Sequence, residues 1–123
     1  MLTNERLADY IVLMNEAREL SNKANSKAYE LRQDAIRLGF EATAAADHAV
    51  LIADVVQENT DPSSMPKLIH ASRDAAAKAA EATLKALEAI KKANEADHES
   101  TEAFERTRIA AENLTEALNR EGY

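Results

Sequence analysis

The chain contains no cysteine and no tryptophan. Without a thiol there is no disulfide scaffold, no thiolate metal site and no cysteine nucleophile, which suits a reducing cytoplasm. Glycine and proline are nearly as scarce, with two of each in 123 residues: Gly39, Gly122, Pro62 and Pro66. The glycines stand too far apart to form a phosphate-cradling loop. Aromatic residues are limited to Tyr10, Tyr29, Phe40, Phe104 and Tyr123, so any core has to come from alanine and aliphatic side chains. No basic segment followed by an apolar run opens the sequence, and no stretch holds the roughly 20 apolar residues of a membrane span. Neither a Sec-type signal nor a transmembrane helix is expected. Positive charge is in deficit: 22 acidic against 15 basic residues give a net charge of −7. That balance repels phosphate backbones, and the helix faces mix both signs, so neither nucleic acid nor a membrane surface is an expected partner. The expected location is the cytoplasm, with export by a non-Sec route left open.

What is abundant is alanine, leucine, glutamate and lysine, the usage of long helices. One strong break interrupts it, Asp61-Pro62-Ser63-Ser64-Met65-Pro66. Before the break, Thr3 or Asn4 can cap a helix over about residues 4–58. After it, Ser64 can cap a second helix over about residues 66–120, with Pro66 tolerated in the first turn and Gly122 as the stop signal. The whole, residues 1–123, reads as a single all-α domain.

From Asp74 onward alanine recurs at every seventh place: Ala75, Ala82, Ala89, Ala96, Ala103, Ala110 and Ala117. With Ala79, Ala86, Ala93, Ser100, Thr107 and Leu114 it makes alternating steps of four and three, the seam of an alanine-rich coiled coil. The first half carries a matching stripe that runs from Tyr10, Met14 and Ala17 through Ala28 and Leu38 to Ile52 and Val56, keeping phase through Gly39. Acids at Asp74, Glu81, Glu88 and Glu102 precede bases at Lys78, Lys85, Lys92 and Arg106 by four residues. Such pairs contribute about 0.3 kcal/mol each and mark a solvated flank.

The pattern predicts an antiparallel hairpin of two long heptad-patterned helices, each about 80 Å long at 1.5 Å per residue. Folding back at the Pro-Ser loop places Gly39 opposite Ala86, small against small, with close approach of the helices. Large apolar residues outside the seam make a second stripe that one hairpin leaves wet, so two hairpins are expected to pair into a four-helix bundle, or one hairpin to pack on another helical protein. The alternative breaks the helices at Gly39 and at Asp97-His98-Glu99-Ser100, giving a compact bundle of four shorter helices.

No constellation has the spacing of a catalytic or cofactor site. Glu95 and His98 form the Glu-x-x-His step of carboxylate di-metal bundles, but Ala45 and Lys67 stand where His48 and His70 would need their acids. A metal-binding bundle enzyme or metal store is therefore the alternative, not the leading expectation. Glu16 and Glu19 with Glu58 and Asp61 resemble the paired acids of all-α nucleotide pyrophosphohydrolases, yet the second pair runs into the Pro-Ser loop and the pairs are too far apart to share one metal on neighbouring helices. The hairpin shape also resembles type VII secretion hairpins, without their Trp-x-Gly turn, which supplies a further alternative, a small exported hairpin travelling with a partner. The expected function is a non-enzymatic helical interaction protein, a scaffold, adaptor or inhibitor, acting as a homodimer or on a helical partner with no cofactor. Its candidate interface residues are Tyr10, Leu13, Leu20, Phe40, Leu51, Val55, Leu84, Leu87 and Phe104. Phe104 adjoins the seam and reads first as a core filler. Tyr123 is expected to fray.

Overall fold

A computed structural model describes residues 3–122, with the expected position of Tyr123 lying outside that range. Over the described residues the chain is all-α: α1 (Asn4–Glu58) and α2 (Met65–Arg120), with no strand. Thr3 starts α1 by both of its oxygens. Its Oγ1 accepts the Arg6 N–H at 3.1 Å, satisfying an otherwise unpaired donor of the first turn, and its carbonyl accepts the first intrahelical bond, from the Leu7 N–H at 3.0 Å. At the far end of α2, Gly122 takes a φ of 78°, the left-handed conformation that glycine adopts without steric penalty, and its N–H reaches the Asn119 carbonyl at 3.2 Å.

Residues 59–64 reverse the chain, and side chains in the turn hold it. Asp61 Oδ1 accepts both the Ser63 N–H at 3.0 Å and the Ser63 hydroxyl at 2.8 Å, and Asn59 donates from Nδ2 to the Asp61 carbonyl at 2.8 Å. The Ser63 backbone N–H, followed by its hydroxyl, holds the Asp61 carboxyl below the usual carboxylate range. Ser64 precedes α2 and its carbonyl accepts the Leu68 N–H at 3.1 Å, but its hydroxyl faces back into the turn, 3.2 Å from both Asn59 Oδ1 and the Asp61 carbonyl. The serine thus secures the loop as well as the helix start. Pro66 falls in the first turn of α2, where a missing N–H costs nothing.

Neither helix breaks where the four-helix alternative requires. α1 passes through Gly39 and α2 through residues 97–100 without interruption. At both sites a threonine hydroxyl donates one turn back, Thr43 to the Gly39 carbonyl and Thr101 to the Asp97 carbonyl, each at 3.0 Å.

Packing separates the chain into two units: residues 1–30 with 93–123, and residues 31–92. The first pairs the beginning of α1 with the end of α2. There the Lys27 ammonium lies 3.9 Å from Glu99, and Ala17 and Leu20 share a groove with Ala103 and Arg106, so residue numbers fall on one helix as they rise on the other. The second unit is the turn with the segments of α1 and α2 on either side of it.

Every buried residue among those described is an alanine: Ala28, Ala93, Ala96, Ala103 and Ala117 in the first unit, Ala75 and Ala86 in the second. Around them, Met14, Ala17, Ser21 and Ala24, and then Leu31, Ala35, Leu38, Ala42, Ala45, Ala49, Ile52 and Val56, are half-buried. Shielded residues therefore recur at steps of three and four along both helices, the spacing that keeps one face of an α-helix turned to its neighbour. Gly39 does not serve close helix approach as the sequence suggested. It lies one residue past Leu38, and a Cβ added there would meet nothing within 4 Å.

Candidate interaction surface

A seam of alanines leaves the larger apolar side chains elsewhere. Sixteen large hydrophobic residues are exposed among those described, whereas the seven buried residues are all alanines. Of the candidate interface residues, Leu13, Leu20, Phe40, Leu51, Val55, Leu84, Leu87 and Phe104 are all more than half exposed, whereas Tyr10 is half-buried among the shielded residues of α1. Phe104 is 64% exposed, which overturns its reading as a core filler. The ring follows Ala103 by one residue, and 100° of helical rotation carries it off the shielded face.

These side chains do not line one continuous stripe. Ile11, Val12 and Leu13 are consecutive and exposed, and consecutive residues of a helix point in different directions. In the first unit, Leu13 and Leu20 flank a shallow groove of about 200 Å³ with Glu16, Ala103 and Arg106. In the second, Leu31, Leu38 and Leu84 line a groove of about 490 Å³ whose rim is charged, with Asp34 on α1 and Lys85 and Glu88 on α2. A third hollow, of about 640 Å³, lies at the turn between Pro62, Met65, Ile69 and Arg73. Each is an open surface depression with a few charged groups at its edge.

The charges themselves form local pairs. Lys78 reaches Asp74 at 3.0 Å and Lys85 reaches Glu81 at 3.4 Å, both across one turn, and Arg37 contacts Glu41 at 3.0 Å. Arg108 bridges Glu105 and Glu112, and its guanidinium holds the Glu105 carboxyl below the usual carboxylate range. All are solvent-exposed pairs of the kind that contribute less than about 1 kcal/mol. His98 Nε2 lies 3.1 Å from Glu102 Oε1, on the turn that follows and not toward Glu95, and its side chain is 76% exposed. His48 and His70 are exposed as well. Among the described residues no group of three or more histidine, aspartate or glutamate side chains is arranged to hold a metal ion, and no helix is long and apolar enough to cross a membrane.

No family model matches the chain, and neither a curated protein nor a solved structure shows significant similarity to it. The surface itself therefore carries the functional argument. Sequence reasoning singled out large residues one by one and passed over Arg73, which borders the hollow at the turn beside Ile69.

Proposed function

We infer that this protein is a non-enzymatic interaction protein that works by packing its outward apolar side chains against a second helical surface, its own copy in the first instance, in the manner of a four-helix bundle. The observation that carries this reading is the inversion of size between inside and outside: alanines are buried while leucine, isoleucine, valine and phenylalanine are exposed. A helical pair that ended its assembly at this stage would leave unburied the groups whose transfer from water is worth about 1.5–3 kcal/mol each. Paired hairpins would remove them from water while keeping the alanine seams intact. Scaffold, adaptor and inhibitor roles all draw on such a surface, and none needs a nucleophile, metal or cofactor.

The test is the mass of the purified chain in solution. Light scattering on the eluting protein at tens of micromolar should give twice the monomer mass or a higher multiple. A strictly monomeric species over that range would remove the self-association reading.

A further inference from the structure

The second unit, residues 31–92, has two unlike flanks. On each helix the residue just before a shielded position and the residue just after one fall on opposite sides of the shielded face. The groove bordered by Asp34, Lys85 and Glu88 shows that the charged flanks of the two helices share one side. The other side is then formed by the residues that follow Leu38, Ala45 and Ile52 on α1 and Ala75, Ala82 and Ala89 on α2, together with those one turn further out. On α1 this flank carries no charge from residue 36 to residue 57, and on α2 none from residue 76 to residue 90. It includes Ile36, Val50, Leu87 and Ile90, which are 52%, 59%, 56% and 44% exposed. It also includes Gly39, above which there is open space.

The charges that border this flank differ between the helices. The α1 edge is acidic, with Asp47 and Asp54, and the α2 edge carries Arg73. On the opposite flank Asp74 pairs with Lys78 and Glu81 with Lys85 along the same helix, while Glu88 and Lys92 there, like Asp47, Asp54 and Arg73 here, have no ion-pair partner among the described residues. Asp34 and Leu38 share their groove with Glu88 and Lys85, and in that register Arg73 falls at an axial level between Asp47 and Asp54.

We propose that the uncharged flank of residues 31–92 is the contact surface for a second copy of this chain, paired about a two-fold axis parallel to the helices so that α1 of each protomer covers α2 of its partner and Arg73 meets the partner's Asp47 and Asp54. A two-fold of this kind makes the contact self-complementary and closed. It brings the acidic edge of one protomer to the basic edge of the other, twice, and it sets Leu87 near the open space above Gly39. Turning the second copy end for end stacks α2 on α2 instead, and Arg73 then has no acid opposite, since this edge of α2 offers none between residues 69 and 91. Electrostatic complementarity at such a border selects orientation more than it adds affinity.

The inference rests on the self-association reading, and the test separates the two. Sedimentation of the full chain and its variants gives the dimer dissociation constant, with far-UV circular dichroism as the folding control. Arg73→Glu should weaken the dimer about tenfold, and combining it with Asp47→Lys and Asp54→Lys should restore most of the loss. Leu87→Glu should abolish pairing without loss of helix. Because the chain has no cysteine, orientation is read directly from single-cysteine variants: Ile36→Cys mixed with Leu87→Cys should form a crosslinked heterodimer on oxidation, while Val50→Cys alone should not crosslink to itself. A dimer indifferent to Arg73→Glu and Leu87→Glu would overturn this surface while leaving self-association standing. A Val50→Cys homodimer would overturn the orientation, and a monomeric wild type would overturn both readings.

Discussion

Replacing Gly39 by alanine should stabilise the fold by about 1 kcal/mol. Three features of the site set the sign. The residue lies inside α1 with an ordinary helical φ, since Gly122 alone among the described residues has a positive one. A Cβ at this position would meet nothing within 4 Å, so no clash opposes the substitution and no new packing adds to it. The one side-chain bond at the site, from the Thr43 hydroxyl to the Gly39 carbonyl at 3.0 Å, uses a backbone oxygen that alanine retains. What remains is the difference in helix propensity, about 0.8–1.0 kcal/mol, most of it the entropy that glycine loses on entering a helix. With an unfolding entropy of about 2.1 cal/mol/K per residue, a chain of 123 residues gains roughly 4 °C in Tm.

The assay is urea unfolding followed by circular dichroism, run at sub-micromolar and at tens-of-micromolar protein because the proposed dimerisation would make the midpoint depend on concentration. In the dilute series the midpoint should rise with an unchanged slope against urea. A midpoint that falls there would refute the reasoning, because it would mean that the space above Gly39 is filled within the monomer. At the higher concentration the new methyl group stands on the flank proposed for pairing, and its effect on association appears as the difference between the two series.

Other substitutions test the rest of the structure. Ala86→Leu places a large side chain where alanine is 6% exposed and should cost about 1–3 kcal/mol in urea unfolding; no loss would mean the seam is loosely packed. Phe104→Ala, at a ring 64% exposed, should change the stability of the dilute protein by no more than about 0.5 kcal/mol, whereas a loss of several would return Phe104 to the core. In an NMR titration the Asp61 carboxyl should titrate below its value in the unfolded chain, and Ser63→Ala should bring it only part of the way back, because the larger cause, the Ser63 backbone N–H, is retained. The sign follows: a depressed folded-state pKa gives a contribution that is present above the unfolded value and fades as pH falls through the folded one. Thr3→Ala should cost about 1 kcal/mol of local helix stability, read as faster amide exchange at Arg6.

The parts of this fold that are legible in the sequence are those decided by local chemistry. A proline pair among serines cannot continue a helix, and Thr3 offers a hydroxyl at the point where Arg6 needs an acceptor, so the extent of each helix follows from residues within a few places of its ends. The shielded stripe is legible for a related reason. Helical rotation is fixed, and small residues that recur at steps of three and four have to share a face whatever lies against them. What lies opposite any one position is a different matter, because it depends on where the second helix sits. Gly39 shows the difference: its place beside the stripe is visible in the spacing, but its freedom from contact is not. Ser64 shows it on a smaller scale, with a hydroxyl turned into a loop whose hydrogen bonds depend on the conformations of Asn59 and Asp61 together.

The same distinction bears on the surface. Large exposed aliphatic residues are easy to find in a sequence, yet taken singly they do not say which of them act together, and here Ile11, Val12 and Leu13 point three ways. The flank built from Ile36, Val50, Leu87 and Ile90 becomes a surface only when antiparallel packing brings segments far apart in sequence onto the same side. Its border is informative for the same reason. Asp47 and Asp54 on one helix and Arg73 on the other are unremarked charges in a chain that has 37 acidic and basic residues, and only the register of α1 on α2 sets Arg73 between the levels of the two acids. Within one molecule none of the three has an ion-pair partner among the described residues. A second copy turned about the helix direction satisfies all three at once, so the specificity of the proposed pairing resides in these three charges, while its affinity resides in the uncharged flank between them.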